Sequence, residues 1–378
     1  MALQVKVSHA AVAAFQMGRT SDRFLKREKI YIQGPVYVTP SLGRELTELG
    51  LYSEILKRIQ DVNEYGGGAS IFQIRQAVLD AVDAGADNGD QTLVGLRDEL
   101  RERANAWSDV EDHEARSSFF DTYCEATFYL SSSNRIEIEG IPRGSSSTPD
   151  FKTLGEHVVY FEVKTLDIAD PNAAYARQMA AGLDGNIEAS DVARSRSVGF
   201  STQVIRPHGD AQTWPEVIEQ TMRKLSSHIK KPQYANGPTF LVANLARLSV
   251  CVDAEQLSPT YMVQAEDVFD GSPFEGTGQL WAIANHELDE AFHWVGLDGR
   301  RESKPIKRAG LLRDFPFIQG IIFTNEPWSD FDRFADWRDS YRFLGVWNED
   351  CATPCDEPTR EAAKEFLNTL CGRVVSTR

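Results

Sequence analysis

The chain has 378 residues, with 40 lysines and arginines against 56 aspartates and glutamates, and so a formal net charge of −16. A hydrophobic fraction of 42% with 25% charged residues is typical of a folded globular protein and excludes a wholly disordered one. The acidic balance excludes a protein that coats nucleic acid through bulk positive charge, although a local site can still bind phosphate. The length alone suggests two or three domains.

The five cysteines are few, odd in number and scattered, which indicates a reducing compartment and no disulfide framework. No apolar run reaches the roughly 18 residues that a membrane-spanning helix needs. The first residues lack the charged start and long apolar core of a signal peptide. We therefore expect a cytoplasmic protein with no membrane partner.

Residues 1–108 are predicted to form a mainly helical region. A short strand is expected at 29–40, before the helices of this region. Apolar residues recur at helical spacing in three segments, each of which presents one apolar face. The first segment begins near Ser41, the second follows Gly66–Gly68, and the third follows the polar break at 86–91. The three sets of apolar positions are Leu46, Leu49, Tyr52, Leu56 and Ile59; Ile71, Ile74, Val78 and Val82; and Leu93, Leu96, Leu100 and Trp107.

Residues 109–350 are predicted to form an α/β core, and residues 351–378 a C-terminal helix that packs on it. A helix over 117–130 is predicted to precede three strands in a meander. The first strand lies in NRIEIEGIP, where apolar and charged residues alternate strictly, and the other two lie in TPDF and HVVYFEVKTL. An irregular stretch over 167–213 separates these strands from a helix that begins near Pro215 and from a buried strand in PTFLVANLARL. In the tail, the predicted apolar face is Ala363, Leu367 and Leu370.

The chemistry is concentrated in the strand VVYFEVKTL. Residues two apart on a strand point to the same face, so Glu162 and Lys164 lie side by side in an otherwise apolar strand. A charge buried there costs several kcal/mol unless it is paired or bound to a metal. A short meander brings Asp150 beside Glu162, and two carboxylates with the Val163 carbonyl suit Mg²⁺ or Mn²⁺. Lys164 would then position a water or neutralise phosphate charge, and Glu125 on the preceding helix would bind the ion directly or through water.

These residues resemble the PD-(D/E)xK phosphodiesterase superfamily, which includes many restriction endonucleases. The resemblance rests on Pro149-Asp150, then Glu162-Val163-Lys164, after a helical Glu125. It implies a restriction-endonuclease-like core with a central mixed sheet flanked by helices, beside the N-terminal helical region. It also implies Asp150 and Glu162 as metal ligands, Lys164 as the catalytic lysine and Glu125 as an auxiliary acid, although Asp121 lies one helical turn away on the same face.

The resulting hypothesis is a Mg²⁺-dependent endodeoxyribonuclease, with a role in restriction or defence against foreign DNA. Two alternatives remain: a non-catalytic nucleic-acid-binding or assembly module that keeps Glu162 and Lys164 as a structural ion pair, and an RNA-directed nuclease. Many enzymes that cut both strands pair two active sites, which makes a homodimer a candidate assembly. Two basic tracts are candidates for contacts with the DNA backbone. They contain Arg194, Arg196 and Lys224 in the first tract and Arg300, Arg301 and Lys304 in the second.

Overall fold

The computed structural model describes residues 50–62, 74–108, 112–142, 148–166, 213–245, 254–263, 274–296, 299–325 and 342–378. The described residues fall into two compact units. The first unit takes those up to Ala126, and the second takes those from Thr127 onward. The boundary lies within one long helix.

The described part of the first unit is helical. Its elements are α1 (Leu51–Val62), α2 (Gln76–Asp87), α3 (Gln91–Ala106) and the first part of α4 (His113–Ser132). Asp90 begins α3, since its Oδ1 accepts hydrogen bonds from the backbone amides of Thr92 and Leu93 at 2.9 and 3.1 Å. Such a cap satisfies amides that have no partner within the helix.

Most of the predicted apolar positions in this unit are buried, namely Ile74, Val78, Val82, Leu93, Leu96, Leu100 and Trp107. In α1, Leu51 and Ile55 are buried and the predicted Tyr52 is half-buried, while the predicted side chains of Leu56 and Ile59 are outside the described part of the helix. The predicted positions Leu46, Leu49 and Ile71, and the strand expected at 29–40, lie outside the described residues. α2 and α3 approach closely at Gly85, where a Cβ would lie 2.1 Å from Leu93 Cδ1.

The second unit is built on a mixed seven-stranded sheet in the order β1-β2-β3-β4-β9-β10-β11. The strands are β1 (Ile138–Gly140), β2 (Phe151–Thr153), β3 (Tyr160–Thr165), β4 (Thr239–Asn244), β9 (Gly320–Asn325), β10 (Arg342–Trp347) and β11 (Arg373–Ser376). β1, β2 and β3 form an antiparallel meander, and β4 then pairs parallel with β3. The predicted meander and the predicted fourth strand are therefore present in the predicted order.

Helices cover both faces of this sheet. α5 (Trp214–His228) and α6 (Gln279–Asn285) share a buried cluster with Leu241, Ile321 and Leu344 on one face. The other face is aromatic, and on it Phe128 of α4 packs 5.6 Å from Phe161, between ring centroids. The class is thus α/β, with a mixed sheet between helices.

The C-terminal helix is α8 (Glu357–Leu370), and it buries Ala363, Leu367 and Leu370 as predicted. Asp356 Oδ1 accepts a hydrogen bond from the Thr359 amide at 2.9 Å and so begins the helix. After this helix the chain continues from Gly372 into β11, parallel to β10, a strand that the sequence did not predict. The tail therefore contributes a strand to the sheet as well as a helix.

The remaining described elements are smaller. Two antiparallel pairs join β5 (Tyr261–Val263) to β6 (Phe274–Gly276), and β7 (Ala291–Val295) to β8 (Arg301–Pro305). α7 (Leu311–Asp314) leads toward β9, and 3₁₀ turns lie at Lys231–Tyr234 and Ala254–Leu257. No helix among the described residues has both the length and the apolar character needed to cross a membrane.

Candidate active site

The pairing of β2 with β3 brings the predicted acids together. Phe151 lies opposite Phe161, and the Asp150 amide just before it donates to the Phe161 carbonyl at 3.0 Å. Continued by one position, the same register would place Asp150 opposite Glu162, and the charge of Asp150 does raise the pKa of Glu162. Residues that lie opposite each other on neighbouring strands point to the same face. Asp150 therefore shares a face with Glu162 and Lys164.

The aromatic packing on the other face fixes this orientation. Phe161 stacks on Phe240 of the neighbouring β4, with 5.9 Å between the ring centroids. Because side chains alternate along a strand, burying Phe161 on the aromatic face turns Glu162 toward the face covered by α5. A shift of the register by one residue would bury Phe161 on the charged face and is strongly disfavoured.

Glu162 is completely buried, and its two oxygens have different surroundings. Oε1 accepts hydrogen bonds from the Lys164 ammonium group and from the side-chain amide of Gln233. Oε2 is buried and has no hydrogen-bond partner in the part of the chain that the structure describes. One carboxylate oxygen is therefore held in place, while the hydrogen-bonding capacity of the other is unused by the described residues.

Burial, followed by the negative charge of Asp150, raises the pKa of Glu162 from 4.5 to about 7. The positive charge of Lys164 and the hydrogen bonds from Lys164 and Gln233 act in the opposite direction. A carboxyl group in this state holds a proton for much of the time at neutral pH. Because metal ligands must be deprotonated, a cation that binds here would displace that proton.

Asp150 is fixed by a backbone contact. Its Oδ2 accepts a hydrogen bond from the Val163 amide at 2.8 Å. The bond ties the loop that enters β2 to the middle of β3, between the two charged residues of that strand. The structure thus brings Asp150, Glu162 and Lys164 together as the sequence predicts.

Three residues near this site were missed by the sequence analysis: His228, Gln233 and Tyr234. Gln233 and Tyr234 belong to the 3₁₀ turn that leads into β4, and both are buried. Burial and the charges of Glu162 and Asp150 raise the pKa of Tyr234 well above its ordinary value. One signal in the sequence could have found Gln233 and Tyr234, because both stand shortly before the buried strand β4. Since β4 pairs with β3, residues at its start lie near the strand that carries Glu162.

His228 ends α5 in positively charged surroundings. Desolvation lowers its pKa, and so do the positive charges of Lys164, Lys230 and Lys224. Lys224, a predicted contact to the DNA backbone, therefore lies in the same local field as the predicted catalytic lysine. This positive end of α5 contrasts with the acidic charge of the whole chain.

Glu125 is buried on α4, and Asp121 one turn earlier is half-buried. Both belong to the first unit, whereas Asp150, Glu162 and Lys164 belong to the second. Both acids have interaction partners. Their assignment as auxiliary acids stays a prediction.

The predicted basic tracts are described in part. Arg194 and Arg196 lie outside the described residues, as do most of the residues of the irregular stretch at 167–213. Arg300 and Arg301 are exposed at the start of β8. Lys304 on the same strand forms an ion pair with Glu216 of α5, at 2.9 Å between Nζ and Oε1.

The donor set fits a hard divalent cation. Within the described residues, no three histidine, cysteine, aspartate or glutamate side chains are grouped so as to hold a metal. Two carboxylates nevertheless suffice for Mg²⁺, which usually keeps several waters and takes one or two protein carboxylates. The buried Oε2 of Glu162, with no protein partner among the described residues, is the kind of atom that such an ion binds.

Comparisons of the chain with protein-family models, with curated proteins and with solved structures found no match.

Proposed function

We propose that this chain is a metal-dependent endodeoxyribonuclease that hydrolyses phosphodiester bonds in DNA. The observation that carries the proposal is the convergence of Asp150, Glu162 and Lys164 on one face of the sheet, with one oxygen of Glu162 left for a ligand. Together with the resemblance to the PD-(D/E)xK superfamily, this supports a restriction-endonuclease-like core. A role in restriction or in defence against foreign DNA belongs to the same proposal.

Asp150 and Glu162, with the Val163 carbonyl, are the groups that would hold the cation, and Glu125 is the candidate auxiliary acid. Bound Mg²⁺ or Mn²⁺ would polarise a phosphate oxygen and lower the pKa of a bound water. The Lys164 side chain is 20% exposed, and its ammonium group contacts the buried Oε1 of Glu162. It would orient the attacking water and offset the charge that develops on the phosphate.

The local charge supports a phosphate substrate despite the net charge of −16. At the end of α5, desolvation and then the charges of Lys164, Lys230 and Lys224 lower the pKa of His228, so these three lysines lie close together. A positive site on an acidic protein attracts phosphate locally while the rest of the surface repels loosely bound DNA. We therefore expect weak binding to random DNA when no metal is present.

The test is cleavage of supercoiled plasmid DNA by the full chain, with and without Mg²⁺. We expect cutting that depends on Mg²⁺ and that falls about 100-fold or more in Asp150→Asn and in Lys164→Ala, because each removes charge stabilisation from the transition state. Lys364→Ala is the matched control, since Lys364 lies on α8, on the other face of the sheet, and pairs there with Glu349. A wild-type chain that cuts nothing, or variants that cut as well as wild type, would exclude the site.

A non-catalytic module is the second candidate, and the direct contact between Lys164 and Glu162 favours it. In that case the pair is structural, and the chain binds DNA without cutting it in either Mg²⁺ or Mn²⁺. An RNA of the same sequence, assayed in parallel, separates an RNA-directed nuclease from a DNA-directed one. Cutting both strands of DNA would require two active sites, as in a homodimer. Light scattering of the chain with and without DNA measures the molar mass and so tests for that dimer.

A further inference from the structure

Two buried polar atoms flank the hydrogen bond between Gln233 and Glu162. Glu162 Oε2 is the second oxygen of the carboxylate group that accepts this hydrogen bond. Gln233 Oε1 is the carbonyl oxygen of the amide group that donates it. Both are buried, and neither has a hydrogen-bond partner among the described residues. Gln233 is 7% exposed and Glu162 is 0% exposed, so bulk water does not solvate these atoms freely.

The orientation of the Gln233 amide depends on its neighbour. An ionised carboxylate accepts hydrogen bonds and donates none, so the amide turns its NH₂ group toward Glu162 once that residue is ionised, as cation binding requires. Its carbonyl oxygen then points away from Glu162, into protein. A buried carbonyl oxygen without a donor costs about 1–3 kcal/mol, which a structural glutamine would avoid.

The hydroxyl group of Tyr234 is a third buried polar atom, in a residue that follows Gln233 directly and that feels the charges of Glu162 and Asp150. Tyr234 is 1% exposed, and its hydroxyl also finds no partner in the described part of the chain. What sets Glu162 and Gln233 apart is that two such atoms belong to groups joined by one hydrogen bond. Oxygen atoms of this kind, from carboxylate, amide and hydroxyl groups, suit a hydrated hard cation.

We propose that Gln233 belongs to the cation site: its NH₂ group holds Glu162 Oε1, and its carbonyl oxygen accepts a hydrogen bond from a water carried by the cation. The inference rests on the proposed cation site and extends it by a residue that the sequence motif does not contain. Glu162 would then bind through Oε2 alone, because Lys164 and Gln233 hold Oε1. Gln233 acts as a positioning residue for the ion and its water.

The experiment measures Mn²⁺ binding to the full chain by electron paramagnetic resonance and by calorimetry. The variants are Gln233→Met, which removes both the donor and the acceptor, and Gln233→Glu, which removes the donor and keeps an oxygen. Because partners of this kind tune metal affinity by 10–100-fold, we expect Gln233→Met to weaken Mn²⁺ binding about tenfold or more. We expect Gln233→Glu to bind Mn²⁺ at least as tightly as wild type.

Gln319→Met is the matched control. Gln319 is also a buried glutamine, and its amide donates to the Asn348 carbonyl at 3.3 Å, next to β9. We expect it to lose thermal stability while it keeps the wild-type affinity for Mn²⁺. A metal-binding defect shared by both methionine variants would point to general damage and would overturn the proposal.

The outcomes separate this inference from the proposed function. If wild type binds Mn²⁺ and Gln233→Met binds it equally well, Gln233 is not part of the site. If Gln233→Glu is as weak as Gln233→Met, the oxygen of Gln233 does not serve the ion's water and the inference is overturned. In both cases the nuclease proposal stands. If wild type binds no Mn²⁺, or Glu162→Gln binds it as tightly, both proposals fail. Should Gln233→Met not fold, Gln233→Glu decides: tight binding supports the inference, and a tenfold loss overturns it.

Discussion

The carboxylate of Asp150 is bound to the backbone of Val163 by a hydrogen bond of 2.8 Å from the amide nitrogen to Oδ2. The two residues are 13 positions apart, and the bond fixes the loop before β2 against the strand that carries Glu162 and Lys164. Asp150 therefore has two roles that mutation can separate. It holds the meander together, and it supplies a negative charge.

The first prediction separates these roles with two substitutions. Asp150→Asn keeps an oxygen that can accept the bond from Val163 but removes the charge, whereas Asp150→Ala removes both. Because a hydrogen bond of this kind contributes about 1 kcal/mol, we expect the free energy of unfolding to be lower by about that amount in Asp150→Ala than in Asp150→Asn. Urea unfolding measures it. Mn²⁺ affinity should fall in both variants, and equal stability of the two would show that the bond does not hold the strand.

The second prediction concerns the pH dependence of stability in the metal-free protein. The Glu162 pKa is raised from 4.5 to about 7, so the folded state keeps a proton that the unfolded state releases. The contribution of Glu162 to the free energy of unfolding is therefore unaffected by pH below 4.5. It falls as the pH rises from 4.5 to 7 and stays low above that range. The shift corresponds to a loss on the order of 3 kcal/mol.

Glu162→Gln removes this loss, so we expect it to stabilise the metal-free chain at pH 8 more than at pH 4.5. Urea midpoints at the two pH values measure the difference. Glu365→Gln on α8 is the control, since Glu365 is exposed and its substitution should change the two midpoints equally. A Glu162→Gln variant that gains nothing at pH 8 would show that Glu162 ionises without penalty.

The strands that carry the site could be predicted because their signals are local. Strict alternation marks β1, and the apolar run around Glu162 marks β3. The pair Glu162 and Lys164 stands out as two charges in an apolar strand. Asp150 could be placed from the short meander, because a tight connection leaves few registers.

The elements outside this meander gave weaker signals. α6 is buried over nearly its whole surface, so the run WAIAN has no polar face to mark it as helical. β11 is four residues long, half-exposed, and pairs with β10 only because α8 returns the chain to the sheet edge. Gln233 reaches Glu162 through the parallel pairing of β4 with β3, a contact across 71 positions that no local pattern contains.

The third prediction concerns the close packing at Gly310, which begins α7. A Cβ at this position would lie 2.4 Å from the Asn285 amide nitrogen and 2.5 Å from that of His286. Both are backbone atoms and cannot rotate away. We expect Gly310→Ala to destabilise the chain by about 1–3 kcal/mol, as overpacking does in other cores.

The control is Gly372→Ala, where a Cβ would meet no atom within 4 Å. Thermal unfolding of both variants compares the two positions directly. We expect a lower melting temperature in Gly310→Ala alone. Equal melting temperatures would mean that the segment before α7 moves aside without cost.

The fourth prediction tests the basic tract on β8 through the salt dependence of DNA binding. Each phosphate contact contributes about −0.9 to the slope of log K against log salt concentration. Arg301 is exposed at the start of β8, and the several N–H donors of a guanidinium group let it contact a phosphate while it keeps its other interactions. The ammonium group of Lys304 is paired with Glu216 at 2.9 Å. A lysine in an ion pair must give up its carboxylate before it can contact a phosphate, so its net contribution to binding is small.

We therefore expect Arg301→Ala to reduce the magnitude of the slope by about 0.9, and Lys304→Ala to leave it close to that of the parent. Fluorescence anisotropy with labelled duplex DNA measures the slopes, and the Asp150→Asn background prevents cleavage during the titration. Arg378→Ala is the control, because Arg378 is paired with Asp350 at the end of the chain. An unchanged slope in Arg301→Ala would remove this tract from the DNA-binding surface, whereas a drop in Lys304→Ala would show that phosphate displaces Glu216.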